Sequence, residues 1–123
     1  MICGVGIDLV DVERMERLLE RWGERAVARL FTPSEIRHCR GKVNRAECFA
    51  ARFAAKEALA KALGHGWCEH FRWLDVEVVT DRAGKPSFVI SGITRELVLQ
   101  KRVFLSMTHI KSHSAAIVVT EEC

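Results

Sequence analysis

One alanine-rich segment, residues 45–63, constrains the fold of this 123-residue chain more than any other feature. At the spacing of about 100° per residue in an α-helix, its apolar side chains occupy nearly the whole circumference. Such a helix should be buried, and its small side chains allow close packing against a sheet or another chain. Only Arg52 and Lys56 lie apart, together on a separate edge, and Gly64 ends the helix.

Glu57 and Lys61 lie one helical turn apart within the apolar arc, in the order that favours pairing. Burying a charge is costly unless the charged group has a partner. One interpretation is therefore a structural ion pair. The other is that Glu57 binds a metal ion while Lys61 binds a phosphate group.

Residues 2–10 alternate in the manner of a β-strand with one apolar face. The other face carries Gly4, Gly6 and, at its end, Asp8. Glycine within a strand often marks the close approach of a ligand or another backbone, and we expect a ligand here. Asp8 is either a turn or capping residue, or the partner of Glu57 at a shared cation. Two carboxylates, completed by water and phosphate oxygens, would suit magnesium.

Helix boundaries are marked through the first half of the chain. Thr32-Pro33-Ser34-Glu35 is a capping box with proline at the first helical position, which predicts the start of a short polar helix. Asp11 is predicted to be the N-cap of a helix that ends at Gly23, and a short helix is predicted over 24–30. Asn44-x-x-Glu47 is a second N-cap signal, at the start of the alanine-rich helix.

The second half of the chain is predicted to consist mainly of strands. Alternation and turn residues predict strands over 74–80, 87–90, 103–108 and 115–120, with a helix over 92–102. The order of one strand, a run of helices, two strands, a helix and two strands predicts an α+β fold. We expect a mixed or antiparallel sheet covered by helices, in a single domain over 1–123.

Composition excludes several classes of protein. A net charge of +3, from 19 basic and 16 acidic residues, is too small for a nucleic-acid-binding tail. No apolar stretch approaches the roughly 20 residues that span a bilayer, and no secretory leader is recognisable, so we expect a cytoplasmic protein. The five cysteines are therefore expected to be reduced. A zinc site at His38, Cys39 and Cys48 is disfavoured, because the spacing fits no zinc pattern.

Several segments, in order along nearly the whole chain, carry a family resemblance. The chain resembles the holo-[acyl-carrier-protein] synthase family, the small bacterial 4′-phosphopantetheinyl transferases. The matching segments are Gly4-Val5-Gly6-Ile7-Asp8-Leu9-Val10, Phe31-Thr32-Pro33-Ser34-Glu35, Arg52-Phe53-Ala54-Ala55-Lys56-Glu57-Ala58, Lys61-Ala62-Leu63-Gly64, Gly84-Lys85-Pro86 and Leu105-Ser106-Met107-Thr108-His109 with Ala115-Ala116. One departure is His113, which stands where the family commonly has an aromatic residue.

The resemblance implies a fold and a reaction. It implies the 4′-phosphopantetheinyl transferase fold and a magnesium-dependent transferase that supports fatty acid biosynthesis. The serine hydroxyl of apo acyl carrier protein attacks coenzyme A, the 4′-phosphopantetheine arm is transferred, and adenosine 3′,5′-bisphosphate leaves. Asp8 and Glu57 would hold Mg²⁺, Glu57 and Lys61 would act in catalysis, and Glu57 is a candidate to help deprotonate the serine.

The resemblance also implies binding residues and an assembly. Arg52, Lys61 and His109 become candidates for the phosphates of coenzyme A, and Gly84, Lys85 and Pro86 for its adenosine end. Taken alone, His109 would be read as a hydrogen-bonded residue at a strand end. The family forms homotrimers with active sites between subunits.

Carrier proteins are acidic, and the resemblance implies that Arg14, Arg21 and Arg25 dock the carrier. Arg14, Arg17 and Arg21 would share one face of the first helix. The alternative is a solvated face on which arginines alternate with glutamates. Two other classes also stay open: a nonenzymatic module that binds an anionic partner, and a structural oligomer joined through the alanine-rich helix.

Overall fold

The computed structural model describes residues 1–64 and 70–123. Trp67 and Cys68, the latter predicted to be a reduced thiol, lie outside the described residues. The elements are β1 (Ile2–Asp11), α1 (Val12–Leu30), α2 (Pro33–Arg40), α3 (Arg45–Leu63), a 3₁₀ turn (Trp73–Asp75), β2 (Val76–Thr80), β3 (Pro86–Ile90), a 3₁₀ segment (Gly92–Val98), β4 (Lys101–His109) and β5 (His113–Glu122).

The strands form two antiparallel sheets in the described part of the chain. β5 lies between β1 and β4, and β2 pairs with β3 as a hairpin. Helix α3 packs across the three-stranded sheet on one side and against α1 and α2 on the other. The predicted α+β fold, with an antiparallel sheet covered by helices, is confirmed.

Glycines in β1 allow α3 to lie directly on the sheet. A Cβ atom at Gly4 would collide with the carbonyl oxygen of Ala62, and one at Gly6 with that of Ala58. The expected close approach is therefore real, but the approaching group is the backbone of α3. The prediction that this face had been cleared for a ligand is wrong.

A fully buried ion pair connects α3 to the rest of the helical layer. Lys56 Nζ lies 2.7 Å from Glu35 Oε1 and also donates to the carbonyls of Leu30 and Trp73, at 2.8 and 3.3 Å. Burial lowers the pKa of Lys56, and the charge of Glu35 opposes that shift. Glu35 Oε2 accepts the backbone N–H of Val78 at 2.8 Å, which links the pair to β2.

The predicted capping box is present, and its glutamate is the same Glu35. The backbone N–H of Thr32 donates to Glu35 Oε1 at 2.8 Å, and Thr32 Oγ1 accepts the N–H of Glu35 at 3.3 Å. The expectation that Arg52 and Lys56 form the separate, polar edge of α3 is wrong, because both are buried against the helical layer. Lys61 instead lies on the exposed side, with 53% of its side chain accessible.

Three other local predictions need correction. Cys39 and Cys48, expected as thiols, form a disulfide because α2 and α3 bring their Cα atoms within 5.4 Å. Asn44 precedes α3 as predicted, but its side chain makes no capping bond and donates to Glu47 Oε2 instead. The helix expected over 92–102 is a 3₁₀ segment that ends at Val98, and β4 begins at Lys101.

The helix that begins after Asp11 is interrupted where the sequence indicated. Asp11 caps α1 by accepting the N–H of Arg14 at 3.0 Å. Gly23 adopts φ 69°, a conformation that favours glycine, so α1 is two helical segments joined by a kink.

The outer face of the three-stranded sheet is apolar and exposed. Strand pairing aligns Val5 with Val119 and Phe104, and Ile7 with Ile117. Val5, Ile7 and Phe104 each expose more than half of their accessible surface. Across the described ranges, no helix combines the length and apolarity that crossing a bilayer requires.

The ion pair yields a prediction about stability. Replacing Lys56 by alanine leaves Glu35 charged and buried without its partner, which should lower the free energy of unfolding by about 3–5 kcal/mol. Lys61→Ala removes an exposed pair with Asp8 and should change it by less than about 1 kcal/mol. Urea denaturation measures both, and equal losses would contradict the assigned role of Lys56.

Candidate functional site

The predicted metal ligands meet in a cavity of about 400 Å³ between β1, α1 and α3. We call it the carboxylate pocket. It is lined by Asp8, Arg14, Phe53, Glu57 and Lys61, among others. Asp8 follows Gly6 on the face of β1 that contacts α3, so the close packing of the strand and helix brings its carboxylate towards Glu57 and Lys61.

Lys61 fixes the strand end to the helix. Its Nζ donates to the carbonyl of Ile7 at 3.0 Å and lies 3.2 Å from Asp8 Oδ1. The ion pair predicted for Lys61 with Glu57 is thus formed with Asp8, although the charge of Lys61 also acts on Glu57. An ammonium group on an exposed side of the pocket can contact a bound phosphate.

Glu57 lies in a setting that disfavours its negative charge. Burial raises the pKa of Glu57, the charge of Asp8 raises it further, and that of Lys61 lowers it. Two oxygen donors that repel each other form a site that a hard divalent cation can neutralise. The described residues contain no group of three or more His, Cys, Asp or Glu that could hold a metal. A pair of carboxylates nevertheless fits magnesium, which takes one or two of them plus water and phosphate oxygens.

A second cavity, of about 290 Å³, brings together the residues expected at the nucleotide. We call it the anion pocket. Its lining includes Arg52, Gly84, Pro86 and His109 from the predicted set, together with His38, Lys42 and Cys48. Lys85 lies in the hairpin turn between Gly84 and Pro86, where its backbone N–H donates to Asp81 Oδ1 at 2.9 Å.

Arg52 is a buried side chain of this pocket whose guanidinium makes few of the hydrogen bonds that it could donate. Its residue surface is only 4% exposed, and its Nε has no hydrogen-bond partner among the described residues. Its Nη1 donates to Cys48 Sγ at 3.3 Å. Burial lowers the pKa of Arg52, and the charge of Glu35 opposes that shift. Among residues 1–64 and 70–123, no carboxylate lies within salt-bridge distance of this buried guanidinium, and such a group is well suited to a phosphate.

His109 is held by a residue that sequence reasoning did not select. Its Nδ1 lies 2.7 Å from Glu47 Oε2, which also accepts from Asn44 Nδ2 at 3.0 Å. The hydrogen bond from Asn44 is the main cause that lowers the pKa of Glu47, and burial opposes it. The Asn44-x-x-Glu47 pattern was the available signal, but it indicated a helix cap rather than support for His109.

His38 and Lys42 are also pocket residues that sequence reasoning missed. Burial lowers the pKa of His38, and the charges of Arg52 and Lys42 lower it further. The positive charges of Arg52 and Lys42 thus act together in this pocket, and such a setting suits an anion. Their only sequence signal was a run of basic residues after the capping box of α2.

The arginines predicted to bind the carrier are exposed along α1. Arg14 reaches the rim of the carboxylate pocket. Arg21 precedes the kink at Gly23 and Arg25 follows it, so these two lie on different helical segments. Arg17 lies 3.9 Å from Glu13, as expected for a solvated face that carries both signs of charge.

The two pockets open on different sides of α3. Glu57 belongs to one and Arg52 to the other, and five residues correspond to a rotation of about 140° around a helix. Within one chain, α3 therefore separates the carboxylates of Asp8 and Glu57 from Arg52 and the other basic residues of the anion pocket.

Comparison with known proteins establishes the family. A model described as the 4′-phosphopantetheinyl transferase superfamily matches residues 4–118. The chain belongs to this superfamily. It is 43% identical to the holo-[acyl-carrier-protein] synthase of Solibacter usitatus over 98% of this chain and 99% of the relative. It is 44% identical to that of Geobacter sulfurreducens, with 98% of each chain covered.

Solved structures agree with this membership. Holo-[acyl-carrier-protein] synthase of Neisseria meningitidis superposes with a TM-score of 0.91 at 33% identity, covering 99% of this chain and 100% of that one. The Bacillus anthracis enzyme, solved in complex with CoA (3′,5′-ADP), gives a TM-score of 0.85 at 35% identity, covering 100% and 99%.

The repulsion in the carboxylate pocket yields a second prediction. Glu57→Gln removes a charge that burial and Asp8 both disfavour, so the free energy of unfolding in metal-free buffer should be unchanged or higher. Glu35→Gln makes the same atomic change at the partner of buried Lys56 and should lower that free energy clearly. Urea denaturation in the presence of a chelator compares the two, and a similar loss for both variants would contradict the electrostatic account.

Proposed function

We propose that the chain acts as a holo-[acyl-carrier-protein] synthase through a magnesium site formed by Asp8 and Glu57. The activity is the transfer of 4′-phosphopantetheine from coenzyme A to a serine of apo acyl carrier protein, in support of fatty acid biosynthesis. The observation that carries the site assignment is the meeting of Asp8, Glu57 and Lys61 in one pocket. A cytoplasmic location, expected from the sequence, stays a prediction.

The reaction is a phosphoryl transfer. The serine oxygen forms a bond to the β-phosphorus of coenzyme A, the bond to the bridging oxygen breaks, and adenosine 3′,5′-bisphosphate leaves with the electron pair. Bound magnesium would offset the negative charge that develops on the pyrophosphate oxygens. The chain's own part is mainly to position the two substrates and to receive the serine proton.

Lys61 and Glu57 can have separate roles in that step. Lys61 is already oriented by Ile7 and Asp8, so it can present its ammonium group to a phosphate with little loss of side-chain freedom. Glu57 lines the same pocket as Lys61, so a serine hydroxyl that approaches a phosphate bound there also comes near this carboxylate. We propose that it accepts the serine proton, directly or through a bound water.

The anion pocket is proposed to hold the nucleotide end of coenzyme A. Arg52 and His109 would contact phosphate groups, and Gly84, Lys85 and Pro86 would contact the adenosine. The support is the Nε of buried Arg52, which lacks a hydrogen-bond partner in the described part of the chain, together with the cationic side chains that share its pocket.

We further propose that the complete site forms between copies of the chain in a homotrimer. The carboxylate pocket and the anion pocket open on different sides of α3, so two chains are suited to supply the two halves of one site. The exposed apolar face of the sheet, with Val5, Ile7 and Phe104, offers a surface for such contacts.

Acyl carrier protein is proposed to dock on α1. Arg14 lies at the rim of the carboxylate pocket, where the attacking serine must arrive. Arg21 and Arg25 extend the exposed positive charge along the helix. Charge pairing with an acidic carrier would chiefly raise the association rate and would weaken with added salt.

Transfer is tested by mass spectrometry of apo acyl carrier protein incubated with the chain, coenzyme A and Mg²⁺. The expected result is a gain of one phosphopantetheine group, which a chelator should prevent. Asp8→Ala and Glu57→Ala should each reduce transfer at least about 100-fold while the circular dichroism spectrum is kept. A folded Asp8→Ala variant with full, metal-independent activity would exclude the proposed site.

The composite site is tested by mixing inactive variants. In an equal mixture of Asp8→Asn and Arg52→Met chains, about one quarter of the sites should combine two intact halves from neighbouring subunits, and activity should reappear. An equal mixture of Asp8→Asn and Glu57→Gln damages the same pocket twice and should stay inactive. Failure of the first mixture to recover activity, with mixed oligomers demonstrated, would place both pockets' functions within one chain.

A further inference from the structure

The Cys39–Cys48 disulfide lies at the wall of the anion pocket. Cys39 is fully buried, whereas Cys48 lines the pocket and accepts a hydrogen bond from Arg52 Nη1 at 3.3 Å. Lys42, which follows α2, and His38 line the same pocket. The disulfide therefore contacts the guanidinium on which the proposed binding of phosphate depends.

We propose that Cys39 and Cys48 form a redox switch that sets the affinity of the anion pocket for a nucleotide phosphate. Cys48 acts as a positioning residue for Arg52 in this scheme. The inference rests on the proposed function, because it concerns the regulation of the site assigned there to coenzyme A.

The two redox states differ in what they offer Arg52. In the disulfide, Cys48 Sγ is an uncharged, weak acceptor, so the guanidinium keeps its charge available for phosphate oxygens. Reduction leaves Cys48 free to ionise, and cationic neighbours such as Arg52 and Lys42 favour the thiolate form of a cysteine. A thiolate would pair with Arg52, and a phosphate would have to displace it.

The exchange can begin only at the accessible sulfur. In oxidation by a low-molecular-weight disulfide such as oxidised glutathione, the Cys48 thiolate attacks one sulfur and releases one glutathione thiol. Cys39 then attacks the mixed disulfide at Cys48 and releases the second. Two electrons and two protons pass from the two protein thiols to the glutathione disulfide, which becomes two glutathione thiols.

A redox switch fits both the disulfide between Cys39 and Cys48 and the reducing compartment that the sequence predicts. In a reducing compartment, disulfides are usually transient or redox-sensing rather than permanent. Because Cys48 reaches the pocket, the state of this pair can follow the thiol–disulfide balance of its surroundings.

The test measures binding of adenosine 3′,5′-bisphosphate by calorimetry to the full chain, after treatment with oxidised glutathione or with dithiothreitol and removal of the reagent. In the unfolded chain, thiol titration should show that oxidation removes two thiols beyond those that mass spectrometry finds blocked by glutathione. Reduction is expected to raise the Kd about tenfold, because the phosphate loses one charge-assisted interaction with Arg52. By reciprocity, saturating nucleotide should favour the disulfide by the same factor, a readout that a merely structural bond would not move.

Matched variants separate the effect of the Cys48 thiolate on binding from the effect of the disulfide bond. Cys39→Ser keeps Cys48 as a permanent thiol and should bind as weakly as the reduced chain. Cys48→Ser removes both the disulfide and the thiolate, so its Kd should not respond to reductant and should stay below that of Cys39→Ser. Cys123→Ser alters an exposed free cysteine and should leave the redox response intact.

The outcomes distinguish this inference from the function on which it rests. Equal Kd values in the oxidised and reduced chains, equal binding by Cys39→Ser and Cys48→Ser, or no loss of thiols on oxidation would overturn the switch alone. No binding of adenosine 3′,5′-bisphosphate in either state would overturn the assignment of the anion pocket as well.

Discussion

The buried contact between Lys56 and Glu35 fixes the position of the helix on which both pockets are built. A fully desolvated ammonium and carboxylate are tolerated only when each has several partners, and here the backbones around Leu30, Trp73 and Val78 supply them. Apolar packing of Phe49 and Leu59 holds this alanine-rich helix in the core. The ion pair adds specificity, since any rotation of α3 would leave two buried charges unpaired.

Close packing on the opposite side of α3 then sets the carboxylate pocket. Because Gly4 and Gly6 present no Cβ, the helix backbone lies directly on β1, and the next inward residue of that strand is Asp8. Its carboxylate comes within reach of Lys61 and acts on the pKa of Glu57. The two carboxylates repel each other, and a bound divalent cation would remove that repulsion. Under the proposed function, stability and cation binding are therefore opposed at Glu57, whereas they do not conflict at Lys56.

The sequence predicted the secondary-structure elements better than the contacts between them. The alanine-rich helix, the glycine-faced strand and the capping box at Thr32 were recognisable because each depends on local spacing. Which edge of α3 is exposed was not recognisable, since Lys56 is buried only because Glu35, 21 residues away, reaches it. The same holds for the Cys39–Cys48 pair and for Glu47 beside His109, where the partners meet through the packing of separate elements. The family resemblance named residues that the structure brings together in the two pockets, but nothing local indicated that α3 separates them.

In the proposed function, α3 is the shared wall of two half-sites, one for a cation and one for an anion. The central claim is that the cation lies on Asp8 and Glu57 and serves coenzyme A. The most direct measurement is anomalous diffraction from crystals grown with Mn²⁺ and coenzyme A. The account predicts a peak within ligand distance of both carboxylates and of the pyrophosphate, with the nucleotide end in an anion pocket. Coenzyme A bound at full occupancy with no metal between Asp8 and Glu57, or with the metal at another site, would contradict it.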